Sequence, residues 1–74
     1  MARIDIRPGP DPSSNHAYVV NDTNTSATVT VGVNESCPTG SRQLLDQVHN
    51  LAPGEARFCG GTVSGVCNYH YFVK

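Results

Sequence analysis

The clearest pattern in the chain is an alternation of apolar and polar residues between Ala27 and Cys37. The apolar positions are Ala27, Val29, Val31 and Val33, and the positions between them are Thr28, Thr30, Gly32 and Asn34. Successive side chains of a strand point to opposite faces, so this pattern predicts a strand with one buried and one solvent-facing side. Because Val and Thr are β-branched, they suit a pleated, half-buried surface. We therefore expect the rest of the chain to cover the valine side of this strand.

Shorter alternating segments before and after this strand predict further strands. They cover residues 1–7, 16–21, 55–59 and 67–74. Ile4 and Ile6 are expected to share one face of the first segment, and Ala56 and Phe58 are expected to point inward in the third. The polar residues 21–26 predict a turn, since Asn and Asp bond readily to their own backbone. We expect this turn to join residues 16–21 to the central strand as an antiparallel hairpin.

Two segments do not show this alternation. Residues 8–15 contain three prolines at alternate positions, which fix φ and remove backbone donors. They predict an exposed connecting segment within one domain that spans residues 1–74, with a polyproline-type ligand as the alternative. Residues 42–51 are ambiguous, because their apolar side chains have the spacing of a short helix that begins after Ser41.

Composition narrows the class of protein. The 74 residues suffice for one domain with a thin core. A net charge of −1 and five dispersed cations argue against binding to nucleic acid, and no apolar run has the length needed for insertion into a membrane. Residues 1–20 lack the apolar segment of a signal peptide. We expect the mature segment of an exported protein, with a virion component that never crosses a membrane as the alternative.

Four motifs together resemble a known family. They are Val19-Val20-Asn21, Thr28-Val29-Thr30-Val31, Leu51-Ala52-Pro53-Gly54-Glu55 and Arg57-Phe58. This combination resembles small immunoglobulin-like β-sandwich modules, in which a leucine, any residue, Pro-Gly-Glu corner commonly introduces a strand. The resemblance implies an all-β fold of about six or seven antiparallel strands in two sheets, and it makes residues 42–51 a strand, with a helix as the alternative. It implies no activity, because this fold serves adhesion, scaffolding and binding alike. The chain lacks the tryptophan of antibody-type domains.

Three cysteines in so short a chain suggest a disulfide. If successive strands are antiparallel, all three lie at one end of the sandwich, and Cys59 and Cys67 flank a single hairpin loop. We therefore predict a Cys59–Cys67 disulfide, which stabilises the fold by roughly 2–3 kcal/mol. Pairing of Cys37 with either partner and fully reduced thiols are the alternatives. The cysteine left over is expected to be a buried inert thiol, with an inter-chain bridge as the alternative; Cys37, which follows a strand and precedes Pro38, is the candidate for that bridge.

Residue types suited to metal binding or catalysis are present without a matching motif. A Cys₃His zinc set is available from Cys37, Cys59, Cys67 and His70, but the chain contains no C-x₂-C pair. The histidines, the carboxylates and the glycine-rich segment after Cys59 match no catalytic or phosphate-binding pattern. A sheet of this size also leaves little room for a deep pocket. We expect no enzymatic activity, no cofactor and no metal, with a small zinc-binding module as a minor alternative.

Surface features indicate how the domain interacts. Three N-x-S/T sequons begin at Asn21, Asn24 and Asn34, in or near predicted turns, and they are candidate glycosylation sites. The last strand is aromatic on both sides, so one side is expected to remain exposed as a binding surface. The residues proposed for this surface are Tyr69, Tyr71 and Phe72.

These features favour a non-catalytic interaction module, secreted or displayed on a cell or virion surface, that binds a protein or glycan partner. The main alternative is a structural subunit, either a virion decoration protein or an extracellular filament protomer. Such a subunit would assemble with copies of itself through its edge strands.

Overall fold

The computed structural model describes residues 1–11 and 15–74. This part of the chain contains eight strands in two antiparallel sheets and no helix. The strands are β1 (Ala2–Arg7), β2 (His16–Asn21), β3 (Ala27–Cys37), β4 (Gly40–Gln43), β5 (Gln47–Leu51), β6 (Ala56–Gly61), β7 (Val63–Ser64) and β8 (Cys67–Val73). The predicted all-β class is confirmed. Residues 42–51 contain no helix, but they are not the single strand expected either, because the end of β4 and the whole of β5 are separated by the loop 44–46. Part of the proline-rich segment 8–15 lies outside the described residues.

The central strand of the larger, five-stranded sheet is β3. One of its edges pairs with two strands in succession, β5 along Ala27–Val31 and β4 along Asn34–Cys37. Its other edge pairs with β8, which in turn pairs with the short β7. The predicted strand Ala27–Cys37 is therefore confirmed, and with 11 residues it is the longest in the described chain.

The smaller sheet has three strands in the order β1-β2-β6. Its central strand, β2, pairs with β1 in a continuous register and with β6 across an irregularity between Ala17 and Tyr18. The predicted hairpin between residues 16–21 and β3 is therefore wrong. After β2 the chain instead crosses to the other sheet, and residues 22–26 form the link between the two layers.

The hydrophobic core lies between the two sheets. Its buried members are Ala17, Val19, Val29, Val31, Val33, Leu51 and Tyr71. The valine side of β3 is therefore buried, as the alternation predicts. Most of the members are small aliphatic residues, which fits the thin core expected of a chain this short.

Two hydrophobic side chains of the smaller sheet are largely exposed. Ile4 and Ile6 share one face of β1, opposite Val19 and Ala17, but only Ile4 packs against the core, and Ile6 is 49% exposed. Phe58, at 51% exposure, lies on the outer face of the smaller sheet. The reason is the pairing of β2 with β6, which places Phe58 opposite Tyr18 and leaves the inward positions of β6 to Arg57 and Cys59. The prediction that Phe58 faces the core is wrong.

Asn21 stabilises the 22–26 link, where the chain passes from one sheet to the other. Its side chain is 1% exposed, and its Nδ2 donates to the carbonyl oxygens of Thr25, Leu51 and Ala52. Its Oδ1 accepts hydrogen bonds from the backbone N–H and the hydroxyl of Thr23. The amide therefore ties the end of β2 to the 22–26 link and to the turn after β5. Because this side chain is buried and its Nδ2 is hydrogen-bonded, the structure argues against the candidate glycosylation site at Asn21.

Candidate functional site

The disulfide joins Cys37 to Cys67, at the end of β3 and the start of β8. Ser36 pairs with Asn68 in the sheet, so the next residues along the two strands lie directly opposite each other. The predicted Cys59–Cys67 pairing is wrong, because β6 and β8 belong to different sheets rather than to one hairpin. The predicted inter-chain bridge through Cys37 is also wrong, since its sulfur is bonded within the chain.

The third cysteine, Cys59, has a free thiol packed against the core. Its Sγ lies 3.9 Å from Nε2 of His49, and the same nitrogen lies 2.8 Å from Oε1 of Gln47. Burial raises the pKa of the Cys59 thiol, while burial and the nearby charge of Arg57 lower the pKa of His49. Both shifts favour the uncharged forms, the thiol of Cys59 and the neutral imidazole of His49, whereas a nucleophilic cysteine requires a thiolate.

Metal-ligating side chains come together at one place in the described chain. The potential ligand atoms of Glu35, Cys37 and Cys67 lie within 4.8 Å of one another. Two of these atoms are the disulfide sulfurs, which cannot act as thiolate ligands while they are bonded to each other. The same bond removes two members of the Cys₃His set considered above.

The predicted binding surface on β8 is divided between two sides of the sheet. Tyr71 is only 8% exposed and belongs to the core, where its hydroxyl donates to the carbonyl of Gly61. Tyr69 shares its face and donates to Oε2 of Glu35 at 2.6 Å, which raises the pKa of Tyr69. Phe72 lies on the opposite face, above Gly32. The prediction that Tyr69, Tyr71 and Phe72 form one surface is therefore wrong.

An exposed aromatic cluster occupies the outer face of the three-stranded sheet instead. Phe58 makes edge contacts with two rings of β2, those of His16 and Tyr18, at centroid distances of 5.2 and 5.7 Å. The guanidinium of Arg7, on β1, lies 4.2 Å from the centroid of the Tyr18 ring. We call the surface formed by these four side chains the aromatic face.

The arrangement of the aromatic face follows from strand pairing. Tyr18 and Phe58 are opposite each other on β2 and β6, and Arg7 is opposite His16 on β1 and β2. An ion pair between Nε of Arg7 and Oδ2 of Asp5, at 3.2 Å, further restricts the guanidinium. The aromatic face is therefore held in place before any partner binds.

The aromatic face was not predicted, although the sequence contains part of the pattern that indicates it. Because Ala17 and Val19 are core residues, strand alternation places His16 and Tyr18 on the outer side. The position of Phe58 depends on its pairing with β2, which local alternation does not reveal.

Two of the three sequons remain accessible. Asn24 and Asn34 are exposed, in the 22–26 link and on β3. The described part of the chain has no helix of the length and apolarity needed to span a membrane.

Comparisons with protein-family models, with curated proteins and with solved structures find no match for this chain. What the fold defines is a small all-β domain of two antiparallel sheets, with a disulfide between the neighbouring strands β3 and β8 of the larger sheet.

Proposed function

We propose that the chain is a non-catalytic, immunoglobulin-like interaction module that acts outside the cytoplasm and binds a partner protein through its aromatic face. The observation that carries the proposal is Phe58, a large apolar side chain half exposed at the centre of an ordered cluster. The Cys37–Cys67 disulfide is consistent with an oxidising, extracellular environment.

The composition of the aromatic face supports a protein partner. Tyr, Phe and Arg are enriched at protein interfaces, and Tyr and Arg dominate their energetic hot spots. The rings already contact one another, and Arg7 already lies over Tyr18, so binding would cost little side-chain entropy. A glycan would need more uncharged hydrogen-bonding groups than this cluster offers. Glycan binding at the aromatic face is therefore the alternative outcome of the test.

Self-assembly is a second candidate, and open sheet edges favour it. In the order β1-β2-β6, both outer strands have one edge without a partner strand in the described chain. Unpaired edges of this kind can accept a strand from a second copy. Sedimentation analysis separates the candidates, since the binding module is expected to be monomeric at micromolar concentration and the subunit to form oligomers.

An unbiased selection tests the protein-binding proposal. Peptides selected from a random display library against the folded, disulfide-bonded domain should bind at the aromatic face. Phe58→Ala is expected to weaken most of them by about 30-fold, the effect of losing roughly 2 kcal/mol at a hot spot. Leu45→Ala removes a side chain that is 92% exposed in the loop between β4 and β5 and is the matched control.

The outcomes divide clearly. Loss of binding in Phe58→Ala with full binding in Leu45→Ala supports the proposal, provided that circular dichroism shows both variants folded. Equal binding to both variants overturns it. A selection that yields no peptide binders, together with glycan binding that Phe58→Ala abolishes, assigns the face to a glycan instead.

A further inference from the structure

A second exposed surface, chemically different from the aromatic face, lies on the outer side of the five-stranded sheet. Val33 and Tyr71 face the core, so the alternate positions on β3 and β8 face outward. Strand pairing aligns these outward side chains in two rows across β4, β3 and β8. The rows are Gln43-Asn34-His70 and Ser41-Ser36-Asn68, and all six residues are exposed.

A cavity of about 420 Å³ lies along these two rows. It is lined by the six residues of the rows and by the three that lie between them, which are Glu35, Arg42 and Tyr69. Alternation directs the side chains of the middle row to the other side of the sheet. We infer that the cavity is a groove walled by the two rows and floored by backbone, and we call it the polar groove. Its volume is within the range of about 300–1,000 Å³ that small-ligand sites occupy.

A flat aromatic platform borders the polar groove. Phe72 lies across Gly32, where any added Cβ would overlap its ring. His70 stacks beside it, with ring centroids 5.8 Å apart and planes inclined by 22°. Glycine at position 32 therefore lets the phenyl ring lie against the strand, with its other side toward solvent.

The walls of the polar groove carry uncharged hydrogen-bonding groups. Within the described residues, the amides of Asn34, Gln43 and Asn68 form no side-chain hydrogen bond, so their donors and acceptors are available to a ligand. The two charged residues between the rows, Arg42 and Glu35, pair with each other on the other side of the sheet, where Nε of Arg42 donates to Oε1 of Glu35 at 2.7 Å. A ligand that fits this surface is therefore uncharged, rich in hydroxyl groups and flat on one side.

We propose that the polar groove binds a neutral oligosaccharide. Sugar hydroxyls match the free amides, and the apolar C–H side of a pyranose ring matches the platform of Phe72 and His70. The proposal does not rest on the aromatic face, which belongs to the other sheet. The two can therefore fail separately.

The test uses ¹⁵N-labelled protein made without N-glycosylation, because a glycan on Asn34 would fill the groove. Neutral hexasaccharides of glucose, mannose, galactose and N-acetylglucosamine are titrated in turn, with a sialylated oligosaccharide as the charged comparison. At least one neutral probe is expected to shift the amide resonances of Gly32, Asn34 and Asn68. Asn34→Ala is expected to weaken its binding by about three- to tenfold, the effect of losing one or two hydrogen bonds.

Asn24→Ala is the matched control, since it makes the same change at an exposed asparagine in the 22–26 link. Binding that is weakened by Asn34→Ala but unchanged by Asn24→Ala supports the proposal. It is overturned if no neutral probe binds at millimolar concentration, if the shifts map to the aromatic face, or if only the sialylated probe binds.

Discussion

Replacement of Asn21 should cost more stability than that of any other polar residue described above, because its buried amide joins three segments. Nδ2 donates to the carbonyls of Thr25, Ala52 and Leu51 at 2.9, 3.2 and 3.4 Å, and Oδ1 accepts two bonds from Thr23. Each buried group left unpaired costs about 1–3 kcal/mol. Water can reach the part-buried partners, so Asn21→Ala is expected to lower the free energy of unfolding by about 3 kcal/mol. That is a large share of the roughly 4–11 kcal/mol typical of a chain this size.

Urea denaturation of the disulfide-bonded protein measures this loss. Asn24→Ala, an exposed asparagine in the same link, is the control and is expected to change stability by less than about 0.5 kcal/mol. Asn21→Asp places a carboxylate against three carbonyl oxygens, so it should destabilise the fold at neutral pH and less so once acid protonates the carboxyl. A loss below about 1 kcal/mol in Asn21→Ala would mean that the buried amide does not hold the three segments together.

Three further predictions concern the disulfide, the half-buried His49 and a glycine. Reduction of Cys37–Cys67, which are separated by 30 residues, should cost roughly 3–4 kcal/mol in denaturation with and without reductant, and an unchanged midpoint would contradict this. Burial holds the pKa of His49 below its ordinary 6.5, so the unfolded state binds more protons and stability should fall as pH drops below about 6.5. His49→Gln should flatten this dependence between about pH 7 and 5, and the same slope in the variant would argue against it. Gly32→Ala should displace the ring of Phe72 at a cost of about 1–3 kcal/mol, and unshifted Phe72 resonances in NMR spectra would exclude that displacement.

Local alternation predicted the central strand correctly because its physical basis is local. The valines of β3 occur at every second residue, so burial of one side of the strand removes all of them from water. The boundaries of β2 follow from the same kind of signal, with polar or turn-forming residues on both sides. The all-β class of the fold could therefore be predicted from local alternation, whereas the two-sheet arrangement was implied only by the resemblance to immunoglobulin-like modules.

The pairing of strands could not be read in this way. A polar link such as 22–26 suits a hairpin and a crossing between sheets equally well, because its side chains can hydrogen-bond to the nearby backbone in either case. The crossing is specified by Asn21, whose amide bonds to Leu51 and Ala52, 30 and 31 residues away in the chain. Such long-range bonds leave no periodic signal in the sequence.

The errors at the candidate sites have the same origin. Once β2 lies beside β6, Phe58 must share the outer face with Tyr18, and Cys59 turns toward the core. Once β3 lies beside β8, Cys37 meets Cys67. The residue types suited to binding were recognised, but their grouping into faces required the sheet order.

A partner protein is proposed to bind the outer face of the three-stranded sheet. The most direct test is to map amide chemical-shift changes on ¹⁵N-labelled protein as a library-selected peptide is added. The largest changes are expected along β2 and β6, around His16, Tyr18 and Phe58. Changes confined to the five-stranded sheet, or to the turn between β7 and β8, would contradict it.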